Sequence, residues 1–309
     1  MALVFFGTPQ FAVPTLRVLT EGKEDVVLVV TQPDKVKGRG HVLSSPPVKE
    51  FAAAKGVRTI QPAKIRNEDF SRGLRDLKPE FIVVVAYGKI LPEEVLAIPE
   101  KGCINVHASL LPKYRGAAPI QWALIRGERE TGVTTMLMDK GMDTGDILMQ
   151  ETLVIGEDDN AATLSEKLSE LGARTLIRTL EGIREGGVRP VPQMGEASYA
   201  PPLRKEDGRI DWNRSAKELF DFVRGMSPWP SAFCSLGNET IKILKVRPLE
   251  GKGTPGRIES ASRGEFIVGT GSGLLLIEEL QPQGKKAMPA KAFLAGRKLD
   301  AEGTPAGFA

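Results

Sequence analysis

Four short runs in the first half of the chain are almost continuously apolar, rich in β-branched and aromatic residues: 3–6, 26–31, 81–86 and 103–107. Strands covered on both faces read this way, without the in–out alternation of a half-exposed strand. Between them, residues 11–20, 47–55, 68–77 and 118–126 have helical character. Strands alternating with helices predict βαβ units and an α/β domain built on a doubly wound, mostly parallel sheet. Two further strands are expected at 132–138 and 147–155, then an amphipathic helix over 161–184. Its Leu164, Leu168, Leu171, Leu176 and Leu180 recur at helical spacing.

The pattern then breaks. From Glu185-Gly186-Gly187 to Tyr199-Ala200-Pro201-Pro202 the chain is rich in Gly and Pro, which reads as a linker. Beyond it come one helix, 216–224, and short strands at 232–236, 240–248, 256–258, 265–269 and 274–281, separated by Gly-containing turns. That spacing predicts a small β-barrel. The expected division is a first domain over 1–188, a linker over 189–205 and a second domain over 206–309.

Length agrees with two domains, since 309 residues exceed what one core usually organises. Hydrophobic content of 41% and charged content of 26% are those of an ordinary water-soluble chain. The balance of 42 basic against 39 acidic residues is too even to indicate a polyanion partner, so any such inference must come from where the charge sits. Cys103 and Cys234 are the only cysteines. They imply neither a disulfide framework nor a zinc cluster, and they fit a reducing compartment. Residues 2–6 read as a strand rather than a secretory leader, and no apolar run is long enough to span a bilayer. The expectation is a cytoplasmic monomer with no membrane contact and no metal.

Candidate chemistry gathers at the end of the fourth strand. The chain has two histidines, and one of them, His107, closes the run Cys103-Ile104-Asn105-Val106-His107. Residues two apart on a strand share a face, so Asn105 and His107 point the same way. Open parallel sheets bind ligands beyond the carboxyl ends of their strands. A polar pair there is either a hydrogen-bonded strand end or a reaction site, and a nearby carboxylate would favour the second. Asp143, in Gly141-Met142-Asp143-Thr144-Gly145, lies in a glycine-flanked loop expected to connect neighbouring strands; taken alone it is equally a turn residue. Asn, His and Asp together suit attack of an amine on a carbonyl carbon. The amide donates to developing oxygen charge, the imidazole relays or orients a proton, and the carboxylate fixes the ring. Ser109 follows closely but lacks the Gly-x-Ser-x-Gly elbow of an activated nucleophile, so direct acyl or formyl transfer is expected.

The run from Asn105 through Ser109-Leu110-Leu111-Pro112-Lys113-Tyr114-Arg115-Gly116 to Gln121 closely resembles the methionyl-tRNA formyltransferase family. So do Gly7-Thr8-Pro9, Val84-Val85-Ala86-Tyr87-Gly88, Met142-Asp143-Thr144-Gly145-Asp146 and Pro228-Trp229-Pro230, in the same order along nearly the whole chain. Ala108, where many relatives carry Gly, is a small departure. The resemblance implies a Rossmann-like formyltransferase fold followed by an OB-like barrel. It implies Asn105, His107 and Asp143 as catalytic residues and Ser109, Leu110, Leu111 and Pro112 as the folate-binding segment. It also implies 10-formyltetrahydrofolate as donor and methionyl initiator tRNA as acceptor.

The loop after the second strand, Gln32-Pro33-Asp34-Lys35-Val36-Lys37-Gly38-Arg39-Gly40-His41, is basic. It is either a solvated loop or a phosphate contact. The resemblance favours the second, with Lys35, Lys37 and Arg39 meeting the tRNA. Lys113 and Arg115, and in the second domain Lys242, Lys245, Arg247, Lys285, Lys286, Lys291, Arg297 and Lys298, are secondary candidates. Trp229 is expected in the core. Gly7-Thr8-Pro9 could cradle an anion at the following helix but lacks a dinucleotide fingerprint. The catalytic half alone would also suit a glycinamide ribonucleotide formyltransferase, the hydrolase part of formyltetrahydrofolate dehydrogenase, or a sugar-nucleotide formyltransferase. The expected second domain argues against the first, the lack of a downstream dehydrogenase domain against the second, and the basic loop against the third. A non-catalytic RNA-binding module is a reading of another class, opposed by the intact Asn–His–Asp set.

Overall fold

The computed structural model describes residues 2–37, 42–261 and 265–295, except the side chains of Lys37 and Val42. Arg39, His41, Arg297 and Lys298 lie outside the described residues. The chain forms two compact units. The first comprises Met1–Pro119, Glu130–Val154 and Ser165–Pro201, and the second Ile120–Arg129, Ile155–Leu164 and Pro202–Ala309.

In the first unit, the elements through the sheet's last parallel strand are β1 (Ala2–Gly7), α1 (Val13–Glu21), β2 (Asp25–Val30), β3 (Lys35–Lys37), β4 (Val42–Ser44), α2 (Pro47–Ala54), β5 (Thr59–Ile60), α3 (Glu68–Asp76), β6 (Phe81–Val85), α4 (Glu93–Leu96) and β7 (Cys103–His107). After it come β8 (Arg115–Gly116), α5 (Pro119–Ile125), which belongs to the second unit from Ile120 on, β9 (Glu130–Leu137), β10 (Ile147–Val154), α6 (Ala161–Arg184), whose first turn belongs to the second unit, and β11 (Tyr199–Ala200). One seven-stranded sheet runs β10-β9-β7-β6-β1-β2-β5. β7, β6, β1, β2 and β5 are mutually parallel, whereas β9 runs antiparallel to β7 and β10 antiparallel to β9. The expected α/β sheet is therefore present, with its antiparallel pair at one side. β3 and β4 form a small antiparallel hairpin of their own, and β8 pairs with β11 in parallel.

The continuous apolar runs are buried, as a sheet covered on both faces requires: β6 is buried throughout, and in β7 only Asn105 is not fully covered. One face of β7 is closed by α6. A Cβ on Gly172 would come within 2.8 Å of Val106 Cγ1, so the helix lies against the strand at a position only glycine permits. The buried hydroxyls of Thr135 and Thr179 bond at 2.8 Å across the same packing. With Val106 turned toward α6, alternation sends Cys103, Asn105 and His107 to the opposite face. There an apolar cluster of Val4, Phe6, Ile82, Val84, Tyr87, Val95 and Cys103 fills the space under α3 and α4. It gives way to the polar pair at the carboxyl end.

The second unit carries α7 (Ala216–Met226), β12 (Ala232–Leu236), β13 (Glu239–Leu249), β14 (Ile258–Ser260), β15 (Ile267–Gly269), β16 (Leu274–Pro282), β17 (Met288–Pro289) and α8 (Ala290–Ala295). Its strands pair antiparallel in the order β12-β13-β16-β15-β14, with β17 on β16. Among the described residues these pairings do not join β14 to β12. Ser215 caps α7 reciprocally with Glu218: Glu218 N–H donates to Ser215 Oγ at 3.3 Å and Ser215 N–H to Glu218 Oε2 at 2.9 Å. Trp229, expected in the core, is 53% exposed. Among the described residues no helix is long and apolar enough to cross a membrane.

Candidate active site

β7 brings Asn105 and His107 to the carboxyl edge of the sheet. The loop between β9 and β10 brings Asp143, as expected for a connection between adjacent strands. Asp143 Oδ2 stands 3.7 Å from His107 Nδ1, with both side chains mostly buried, at 15% and 7% exposure. That is the separation of an ion pair rather than a hydrogen bond. The same Oδ2 accepts the Gly116 N–H at 2.8 Å, which fixes the carboxylate from its other side. His107 Nε2 lies 3.0 Å from the Tyr114 carbonyl. A carbonyl only accepts, so Nε2 carries the proton of that bond. Both ring nitrogens face oxygens that can only accept, and the two contacts are complete when the ring holds two protons.

Backbone conformation sets this geometry. Tyr114 and Asp143, the two residues facing the imidazole, both lie in the left-handed region, with φ of 61° and 55°. Such conformations cost non-glycine residues about 1–2 kcal/mol each. At the Asp143 loop, Thr144 Oγ1 donates to both Asp139 oxygens at 2.7 and 2.9 Å, and Gly141 N–H to Oδ1 at 2.9 Å. Gly145 closes the loop where a side chain would collide with the Leu137 carbonyl. Asn105 is half-buried, and its carboxamide makes no hydrogen bond to the rest of the protein among the described residues.

Residues 109–112 form a turn locked to the neighbouring strands. Ser109 is fully buried and its hydroxyl donates to the Lys113 carbonyl at 2.6 Å. Thr134 Oγ1, on β9, donates to Ser109 O at 2.7 Å and accepts from Leu111 N–H at 3.0 Å. Gln150 Nε2, on β10, donates to Leu111 O at 2.9 Å and to Thr134 Oγ1 at 3.0 Å. Leu111 is buried, while Leu110 and Pro112 keep part of their surface. The segment thus offers shape and apolar surface, and its hydroxyl is already engaged. Thr134, Gln150, Tyr114 and Gly116 escaped the sequence reading. Thr134 and Gln150 left a faint signal, polar residues inside strand-forming runs; Tyr114 and Gly116 act through their backbones and left none.

The basic hairpin leaves the same edge of the sheet, since β2 runs parallel to β7. Lys35 is exposed on β3, and Val36 and Leu43 are 56% and 64% exposed. The backbone of Lys37 belongs to β3; Arg39 is outside the described residues. The hairpin's root is braced. Lys49 Nζ bonds both Asp34 oxygens, at 2.9 and 2.7 Å, and Gln61 Oε1 at 2.8 Å, while Gln61 Nε2 donates to Asp34 Oδ1 at 2.7 Å. The Lys49 ammonium, then Gln61, hold the Asp34 carboxyl below the usual range. Thr8 of Gly7-Thr8-Pro9 has its hydroxyl bound to Tyr87 O at 3.2 Å and to Gln32 N–H at 3.3 Å. That hydroxyl joins the strand ends rather than standing free for an anion. In the second unit Lys245 and Arg247 pair with Glu278 at 3.6 and 2.5 Å. Among the described residues no group of three or more His, Cys, Asp or Glu could hold a metal ion.

Residues 1–180 match the model of the formyl transferase family, and residues 202–298 that of the formyl transferase C-terminal domain. The chain is 55% identical over 298 residues to a methionyl-tRNA formyltransferase of Thermodesulfovibrio yellowstonii, covering 96% of each chain. It is 50% identical over 302 residues to a methionyl-tRNA formyltransferase of Pelotomaculum thermopropionicum, covering 97% of this chain and 96% of the other. Among solved structures it is similar to an N-formyltransferase of Helicobacter canadensis in complex with folinic acid and dTDP-3-aminofucose. The TM-score is 0.69 at 20% identity, over 89% of this chain and 97% of that one. HypX of Aquifex aeolicus in complex with tetrahydrofolic acid gives a TM-score of 0.62 at 19% identity, over 94% of this chain. The chain spans about half the length of that protein, 46%. At these identities the structural likenesses speak to fold.

Proposed function

The chain belongs to the formyl transferase family, and from that premise we propose how its residues carry out the reaction. The protein is a methionyl-tRNA formyltransferase. It moves the formyl group of 10-formyltetrahydrofolate to the free amino group of methionyl initiator tRNA, giving formylmethionyl-tRNA for translation initiation.

The residue roles are our reading. Bound at this edge, the folate supplies an activated formyl carbon. Leu110 and Pro112 lend apolar surface to hold it, on a turn whose shape Ser109 and Leu111 fix from within. The carboxamide of Asn105, half-buried and unengaged among the described residues, fits a donor reserved for the formyl oxygen. His107 adds positive charge on the same strand face, and its Nε2–H turns from the Tyr114 carbonyl to that oxygen as charge develops. Asp143 holds the ring and takes the proton that the amine sheds, directly or through a water. The methionyl nitrogen bonds to the formyl carbon to give a tetrahedral oxyanion, and its collapse breaks the bond from that carbon to the folate nitrogen, which takes up the proton that Asp143 received. Supporting this reading most directly is the meeting of a mostly buried carboxylate with His107, 3.7 Å apart, beside an amide with no hydrogen-bond partner among the described residues.

We further propose that Lys35, Lys37 and Arg39 meet the tRNA backbone, that residues 1–188 carry the chemistry, and that residues 206–309 form an OB-like tRNA-gripping domain joined through 189–205. The enzyme works as a monomer in the cytoplasm. The test is formylation by the purified protein with labelled formyl-folate and charged initiator or elongator methionyl-tRNA. Labelling of the initiator species alone is expected. Labelling of neither would overturn the reading, and labelling of both would remove its acceptor specificity.

A further inference from the structure

We infer that Gln193 is a positioning residue for formyl transfer, holding the Asp143 loop in register with the imidazole. The inference rests on the role given to Asp143 above. Gln193 Nε2 donates to the Asp143 carbonyl and to the Gly145 carbonyl, both at 2.8 Å. Its Oε1 accepts from Arg115 Nε at 3.1 Å and from Arg115 Nη2 at 2.6 Å. The carboxamide's two hydrogens and two lone pairs are all used. No other side chain of that reach offers both sets: Glu lacks the donors and Lys lacks the acceptors.

These four bonds bracket the Asp143 carboxylate. On one side Gln193 grips the strained loop that carries it, whose φ at Asp143 is 55°. On the other it grips Arg115, the residue before Gly116, whose N–H donates to Asp143 Oδ2 at 2.8 Å. A small slip of either would change the 3.7 Å gap to His107. Gln193 is not what holds residues 191–200 in place. Val191 exchanges two backbone bonds with Ile147, at 2.8 and 2.9 Å. Ser198 receives Tyr114 N–H on its Oγ at 2.9 Å and Arg115 N–H on its carbonyl at 2.8 Å. The Ala200 carbonyl accepts from Ala117 and Ala118 at 2.9 and 3.1 Å. With the strand fastened at both ends, removing the Gln193 carboxamide leaves the backbone seated, and the consequence falls on Asp143.

The test uses the full chain with 10-formyltetrahydrofolate and methionyl-tRNA, and measures kcat and KM separately. Gln193→Ala is expected to lower kcat about tenfold or more, in keeping with the roughly hundredfold cost of a 1 Å misplacement. KM for each substrate should stay within about twofold and thermal stability within a few degrees, on the reasoning that remote positioning affects kcat first. Gln193→Glu keeps the acceptor for Arg115 and loses both donors, so it should fall as far as Gln193→Ala. The double variant with Asp143→Asn should be no slower than Asp143→Asn alone. A Gln193→Ala enzyme with wild-type kcat overturns the inference while Asp143→Asn is defective. So does a fully active Gln193→Glu, or losses that multiply in the double variant. If Asp143→Asn itself turns over normally, the reading of Asp143 fails first and the inference with it.

Discussion

Replacing Asp143 with Asn removes a charge and keeps a shape. The amide oxygen can still receive the Gly116 N–H now bonded at 2.8 Å, so the loop need not move. What is lost is the attraction between carboxylate and imidazolium. At the observed 3.7 Å, and with an effective dielectric constant of about 20, a full pair is worth about 4.5 kcal/mol. Little of this is screened, since the two side chains are only 15% and 7% exposed. Only the part gained between ground and transition state speeds the reaction. With half to all of that energy realised as the imidazolium turns to the formyl oxygen, kcat should fall between about 50-fold and about 2,000-fold. The assay is single-turnover formylation at saturating folate and methionyl-tRNA, with a melting curve as control. A correctly folded Asp143→Asn enzyme within tenfold of wild-type kcat would refute the reasoning, because at an effective dielectric constant of about 20 even half of the pair energy predicts a larger loss.

Asn105→Ala should lower kcat by about 10²–10³-fold, the usual cost of one oxyanion donor, with folate affinity nearly unchanged; equal loss in both, read from kcat and a folate titration, would make Asn105 a binding residue. Lys35→Ala should weaken tRNA use and reduce the slope of log(kcat/KM) against log(salt) by about 0.7–0.9, one phosphate contact; an unchanged slope would leave Lys35 a solvated residue. Glu80→Gln should destabilise the fold at neutral pH by about 3 kcal/mol, the low end for breaking a buried pair because Glu24 still neutralises Arg184. The hydrogen bonds from Arg184 hold the folded Glu80 carboxyl below its ordinary value. Its contribution is therefore present above the unfolded pKa of about 4.5 and is lost as pH falls through the depressed folded value. The gap in denaturation midpoint between wild type and variant should accordingly close in acid, and a gap that stays constant to pH 2 would contradict the assignment.

Much of this was legible in the chain because it is periodic or local. The strand 103–107 and the helix 161–184 were read with the bounds the structure gives them, since a short, nearly continuous β-strand run and a leucine repeat each leave one solution. The face shared by Asn105 and His107 followed from strand alternation alone. Where reading stopped, the cause was sequence distance or backbone chemistry. β5 is two residues long and carries no pattern of its own. Trp229 looked like core by size, yet it is exposed. Tyr114 and Gly116 serve His107 and Asp143 through a carbonyl and an N–H that every residue possesses, so their types say nothing of the role. Gln193 lies in a segment whose Gly and Pro content suggested a linker, and its partners are 48 to 78 positions away.

The cost of the site explains why its support is spread so widely. Left-handed backbone at both Tyr114 and Asp143 amounts to about 2–4 kcal/mol that local sequence does not offset. An isolated loop would relax, carrying the carboxylate away from the ring. Here each strained residue is held from outside its own turn. Ser198 binds the Tyr114 N–H, Gln193 the Asp143 carbonyl, and Gly116 the Asp143 carboxylate. Each such bond contributes about 0.5–1.5 kcal/mol, and more where it meets a charge, so together they match the strain. Strain and support therefore vary together. Removing one support should shift the carboxylate before it unfolds the chain, and catalysis should fail at a milder perturbation than stability does.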